Sequence, residues 1–266
     1  MTPVVLFLLY VSLSAVPTVS LTLRAAAIAE LLDDNSTDVS ETIERANAGI
    51  ETKLIHGDIL PSLTRNAVPC TAAGCKWPKT GKYVYVPVDI STTSFNTEQR
   101  NFIIRGLLTF HESTCIRFVW RQPHHRDFVY IFSGAGCYSY LGRQVRGQSL
   151  SLQRDGCLSV GTVQHEILHA LGFHHEQVRS DRDSFVSILT ENIQSGREHN
   201  FRKVMTNNLR TAYDYRSVMH YSKYAFSKNG KPTIVAKTDP NIVLGRATRM
   251  NSNDILRVNR LYECCE

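Results

Sequence analysis

Residues Gln164–Asp183 read QHEILHALGFHHEQVRSDRD. His165 and His169 stand four residues apart, so on a helix they share one face, one turn from each other. Two imidazoles in that relation can bind one zinc ion. Gly172 permits a backbone turn that few other residues tolerate, and His175 can then swing back as a third ligand. Three protein ligands leave a coordination position open, which marks a catalytic zinc site rather than a structural one. Glu166, beside the first ligand, is placed to activate water at the metal. A bare HExxH is a weak signal, and a lone histidine on a helix is usually an ordinary surface or core residue. The extended HExxHxxGxxH fixes five positions of mostly uncommon residue types, which makes chance occurrence improbable. His174 is out of register with the set.

Further along the chain, residues 217–221 read SVMHY. Met219 in a tight turn would form an apolar floor under such a site. Tyr221 would bring a phenolic donor to its open face, where it could stabilise a tetrahedral oxyanion.

Residues 4–13, VVLFLLYVSL, are too short an apolar run to span a bilayer and are followed by small residues. Residues 1–20 therefore read as a secretory signal peptide, the alternative being a buried N-terminal element. All seven cysteines follow residue 65: Cys70, Cys75, Cys115, Cys137, Cys157, Cys264 and Cys265. In an oxidising compartment six would pair and one would be left over. The spacings suit a zinc cluster poorly. Secretion and cysteine usage support each other, and both disfavour a nucleic-acid partner.

The chain of 266 residues carries a formal charge of +6, divided unevenly. Residues 1–65 have a net charge of −4 and residues 66–266 a net charge of +10. Residues 21–65 are acidic, rich in helix formers and poor in core material. They read as a propeptide, cut after Arg65 by a trypsin-like protease, or else as a mobile arm that stays attached. The basic body suits an acidic extracellular surface or simply keeps the protein soluble.

Residues 66–266 read as one domain without linker or repeat. Strands are expected over 82–90, 116–120, 128–132 and 149–152. Helices are expected over 97–110, 162–171 and 251–262, the last opened by a capping box of Asn251 and Asp254. The fold class is α+β.

The run HEILHALGFHHEQVRSDRD followed by SVMHY resembles the astacin family of zinc metalloendopeptidases. Residues 114–118 (TCIRF), 136–139 (GCYS) and 261–264 (LYEC) resemble further landmarks of that family. The resemblance implies a metzincin-type fold. An N-terminal subdomain would hold a twisted, mostly β sheet and two helices. A mostly irregular C-terminal subdomain would end in a helix, with the active-site cleft between the two. It implies one zinc per chain on His165, His169 and His175, with Glu166 as general base. Tyr221 would ligate zinc at rest and swing to the transition state, and Met219 would be the turn methionine. Glu176 would contact the new N-terminus, Asn66 after a cut at Arg65. The strand around 148–153 would be the cleft edge.

Residues 55–58, IHGD, resemble the FxGD element of astacin propeptides, which makes Asp58 a latch on the metal in the zymogen. The implied disulfides are Cys115–Cys264 and Cys137–Cys157, with Cys70–Cys75 as in the six-cysteine branch that includes fish hatching enzymes. Cys265 departs from the pattern and is a free thiol, an intermolecular link or a competitor for Cys115. The resemblance also implies a secreted monomer acting on extracellular protein, an egg-envelope glycoprotein among the candidates, with no membrane or nucleic-acid partner. The alternative is a catalytically silent binding module on the same fold.

Overall fold

The computed structural model describes residues 38–50, 53–61 and 75–264. The signal-peptide expectation, Arg65, Asn66, Cys70 and Cys265 lie outside these residues.

The strand sequence YVYVPVDI spans β3 (Tyr83–Ile90), with Val84, Val86, Val88 and Ile90 turned into the core. It is the hub of a seven-stranded sheet with β1 (Ile59–Leu60), β2 (Lys79–Thr80), β4 (Ile116–Trp120), β5 (Val129–Phe132), β6 (Cys137–Tyr140) and β7 (Gln148–Leu152). The order is β1-β6-β7-β5-β3-β2, and β4 also pairs with β3. Pairings are parallel except β2 with β3 and β6 with β7.

Helix α2 follows α1 (Val39–Asn47) and spans Thr97–Ser113. It opens with a capping box in which Asn96 Oδ1 accepts the Gln99 N–H and Gln99 Oε1 accepts the Asn96 N–H. Its buried stripe of Ile103, Gly106, Leu107 and Phe110 has helical spacing. The helix runs three residues past the expected end. Thr114 closes it, with both its N–H and its hydroxyl donating to Phe110 O. Helix α3 (Val160–Ala170) starts two residues early because the Ser159 hydroxyl accepts the Thr162 N–H at 3.0 Å. It packs on α2 and β6.

A second, smaller core gathers around the two-stranded sheet of β8 (Val186–Ile188) and β9 (Ile234–Ala236). Phe201, Tyr213, Tyr221 and Phe226 fill it. Helix α4 (Ser252–Leu261) ends the described chain, capped by Asn251 and Asp254 as expected. Cys115 and Cys264 are bonded with Cα atoms 5.0 Å apart, and Cys137 and Cys157 with Cα atoms 5.8 Å apart.

Two expectations need correction. Strand β7 is not the cleft edge. The chain folds back between Gly142 and Gly147, pairing β7 with β6 on one side and β5 on the other. Strand β6, which was not foreseen, lies outside β7, and β1 pairs along its far side in parallel as the outermost strand. Nor does the acidic segment lack core material. Val39 and Ile43 of α1 are buried in the main core. The Asn47 amide donates to Gly57 O and Cys137 O, and its oxygen accepts the Cys137 N–H. No helix among the described residues is long and apolar enough to cross a membrane.

Candidate metal centre and active site

Residues Gly161–Ala170 of α3 are all buried, so this helix is enclosed on every side and its polar residues must be satisfied inside the protein. It ends in a Schellman motif. The Gly172 N–H donates to His169 O at 2.8 Å and the Phe173 N–H to Leu168 O at 2.9 Å. Gly172 sits at φ +107°, a conformation L side chains rarely adopt. This turn carries Phe173 O to within 2.7 Å of His169 Nδ1. On the other ligand, His165 Nδ1 lies 2.8 Å from Val218 O, in the SVMHY turn. A carbonyl only accepts, so both Nδ1 atoms carry the proton and both Nε2 atoms present lone pairs.

Those lone pairs face a carboxylate. His175 Nε2 is 3.0 Å and His165 Nε2 3.1 Å from Asp58 Oδ2, and His169 Nε2 is 3.4 Å from Asp58 Oδ1. All four groups are buried, and their donor atoms lie within 4.8 Å of one another. Burial pushes His175 down to about 3 even beside Asp58, and lowers His169 in the same sense. Burial opposes ionisation of Asp58, but His175 and His169 outweigh it and hold the carboxyl well below the usual range. Three buried imidazole nitrogens and a carboxylate converging on one point can hold a cation among them. Three imidazole nitrogens and one carboxylate oxygen are a zinc donor set, and the site fits that ion.

Glu166 is fully buried, and neither carboxylate oxygen has a hydrogen-bond partner. Burial first, then the charge of Asp58, pushes its carboxyl well above the usual range. The Tyr221 ring lies 4.8 Å from that of His175 between centroids, and its hydroxyl donates to His56 O. The backbone at Gly57, at φ +82°, passes so close that a Cβ there would stand 3.3 Å from the Tyr221 hydroxyl. Met219 is buried in the main core, and its carbonyl accepts the Glu176 N–H.

Glu176 itself is clasped by Arg257 Nη1 and Nη2 at 2.6 and 2.8 Å, by Arg179 Nη1 at 3.1 Å and by the Asp214 N–H. His174 stays outside the donor group and meets His56 edge-on at 5.9 Å.

Asp254 was foreseen only as a helix cap. Its carboxylate also accepts the Ser217 hydroxyl at 2.6 Å and the Val218 N–H at 3.2 Å. It thereby fixes the turn whose carbonyl orients His165. Arg179 stands in the HEILHALGFHHEQVRSDRD run but was given no role, and Arg257 and Asn47 were not foreseen. Arg179 has Glu176 and Asp181 within three residues, whereas Arg257 and Asn47 reach partners far along the chain, which local pattern does not encode.

A family model described as Astacin, a family of peptidases, matches residues 73–263. High choriolytic enzyme 1 of Oryzias latipes is 40% identical over 232 residues, 87% of this chain and 86% of that protein. Low choriolytic enzyme of the same fish is 40% identical over 237 residues, 88% and 87% of the two chains. The solved structure of the medaka high choriolytic enzyme 1, a hatching enzyme zinc-protease, superposes with a TM-score of 0.71 at 44% identity, covering 75% of this chain and all of that one. Myroilysin, at 20% identity and a TM-score of 0.52, shares the fold. The donor set, the enclosed Glu166 and these matches agree: the chain belongs to the astacin family of zinc metalloendopeptidases.

Proposed function

We propose that the protein is a secreted, monomeric endopeptidase made as a zymogen, with residues 1–20 as signal peptide, 21–65 as propeptide and 66–266 as catalytic domain. The observation that carries this reading is the Asp58 carboxylate seated against three histidine Nε2 atoms. A carboxylate from upstream of Arg65 would hold the position that water needs. The same segment engages Tyr221 through His56 O and covers the β6 edge with β1. A cut after Arg65 by a trypsin-like protease would let the segment diffuse away, and all three contacts would go with it. The new ammonium at Asn66 would then join Glu176, which lines a cavity of about 70 Å³ with Arg179, Met219 and Arg257.

Zinc held by His165, His169 and His175 supplies Lewis acidity toward a peptide carbonyl and toward water. In the open enzyme β6 offers its free edge to an extended substrate. Glu166 takes a proton from the attacking water and returns it to the leaving amine nitrogen as the C–N bond breaks. Tyr221, freed from His56 O, donates to the carbonyl oxygen as negative charge builds there. The names of the choriolytic and hatching-enzyme relatives support an egg-envelope protein as substrate.

The test is gelatin cleavage by the purified chain before and after tryptic cutting at Arg65, with zinc analysis and a chelator control. Activity that appears on cutting and vanishes with chelator is expected. Stoichiometric zinc with no cleavage after correct processing would overturn the proposal in favour of a binding module.

A further inference from the structure

The large sheet turns one face to the helices and one face away from them. Val84, Val86 and Val88 of β3 and Ile116 of β4 point into the main core, the side on which α2 packs. By strand alternation Tyr83 and Tyr85 of β3 and Arg117 of β4 point the other way. Tyr85 and Arg117 are in register, and Tyr85 is 42% exposed. The Arg117 guanidinium stands 4.4 Å from the centre of the Tyr83 ring, and Lys82 Nζ stands 5.4 Å from the same ring. The Tyr83 and Tyr85 rings meet edge-to-face at 6.1 Å.

Arg117 Nη1 donates to Thr114 O at 2.7 Å and to Ile116 O at 2.8 Å, which fixes the guanidinium in place. Its Nε and Nη2, the Lys82 ammonium and both phenols have no hydrogen-bond or ion-pair partner among the described residues. Arg121, just beyond the end of β4, makes the contrast. It also lies on a ring, that of Phe128 at 3.6 Å, but Asp89 neutralises it at 3.3 Å. The negative face of an aromatic ring steadies a cation without cancelling its charge. Two fixed positive charges therefore share one ring beside a second, open ring. A sugar carrying an anionic group matches both features. Its C–H groups, slightly positive, pack on an aromatic face, and its hydroxyls bond to phenols. A sulfate ester presents acceptor oxygens in several directions, enough for an ammonium and a guanidinium together. An acidic peptide offers its carboxylates on flexible stems and brings no rigid face for Tyr85.

We propose that this face of β3 and β4 binds a sulfated polysaccharide, with a sulfate held by Lys82 and Arg117 and a sugar ring on Tyr85. The net charge of +10 carried by residues 66–266 draws such a polyanion in from a distance. The choice of polysaccharide over nucleic acid rests on the reading of the chain as secreted. His165 and His169 lie on α3, on the helix side of the sheet, so the bound polymer leaves the cleft open. It holds the peptidase on a sulfated matrix while the catalytic centre works on protein.

The experiment measures binding of a heparin oligosaccharide to the full chain by fluorescence anisotropy at physiological salt. Lys82→Gln and Tyr85→Ser should each weaken binding by roughly fivefold, although the second removes no charge. Arg105→Gln and Arg126→Gln, each removing one exposed charge elsewhere, should change it by less than about twofold. Desulfated heparin and polyglutamate should bind at least roughly tenfold more weakly than heparin. Equal losses at the patch and control positions would reduce the effect to bulk charge and overturn the proposal, as would no binding of heparin at all. Polyglutamate binding as tightly as heparin would assign the face to an acidic protein and overturn it too. The patch variants should keep the parent kcat/KM on a short neutral peptide after processing at Arg65. A failure of the peptidase reading would appear in that assay and leave heparin binding untouched.

Discussion

Glu166 shows how a residue's neighbourhood decides its chemistry. Its carboxylate is enclosed, has no hydrogen-bond partner and lies outside the group of Asp58, His165, His169 and His175 that could hold a metal. Glu166→Ala should leave zinc stoichiometry unchanged while lowering kcat/KM of the processed enzyme by about 10³-fold or more. Metal analysis beside a peptide assay separates the two effects, and full activity in the variant would remove the residue from the mechanism. Asp58→Ala should give the uncut chain measurable gelatin cleavage, and a silent uncut variant would argue against the latch. His165, His169 and Glu166 were legible because helix geometry converts sequence spacing into spatial neighbourhood, and His175 because Gly172 lets the chain turn back toward them. Asp58 was legible only through its likeness to a known motif. Its partners lie 107, 111 and 117 positions downstream, a separation that local pattern does not encode.

Among the elements, helix α1 depends on one side chain more than its own residues suggest. Asn47 bridges the helix to Gly57 on one side and to both backbone groups of Cys137 on the other. Asn47→Ala strips partners from buried backbone groups and should cost about 2 kcal/mol or more. The uncut chain should melt earlier and leak activity, and an unchanged melting temperature would refute this role. The long elements were legible because their capping residues and apolar stripes are local: Asn96 with Gln99, Asn251 with Asp254. Strand β6 escaped because CYSY is four residues long with two half-buried tyrosines. Helix α1 escaped because Val39, Ile43 and the small Ala46 give it a thin apolar face, and what completes that face is the body it docks on. The cleft edge was misassigned for a related reason. Which of β6 and β7 lies further out depends on how the chain turns between Gly142 and Gly147, and local pattern does not encode that.

At the scale of the molecule, two cores meet at the SVMHY turn, and the smaller is ringed by paired charges. Arg179 donates to both carboxylate oxygens of Asp181, at 3.0 and 2.9 Å. The hydrogen bond from Arg179 holds the Asp181 carboxyl below its usual value. A carboxyl depressed by folding stabilises the fold at pH values above its ordinary range and ceases to do so as pH falls through the folded value. Asp181→Asn should therefore lower stability at pH 7 by a few tenths to about 1 kcal/mol, given its partial exposure. The gap from the parent should close as pH drops below about 4. Thermal melts of both chains across that range would show it, and a gap independent of pH would assign the effect to lost packing.

The contacts of residues 38–50 and 53–61 with the body have one more consequence, which concerns concentration. While the chain is intact, these residues are held near their groove at an effective concentration on the order of millimolar. A cut at Arg65 changes none of their hydrogen bonds; it changes only that number. From then on occupancy follows how many released segments share the volume, so severing and unlocking become separate events. The same cut would leave the enzyme largely plugged in a crowded compartment and free it on dilution.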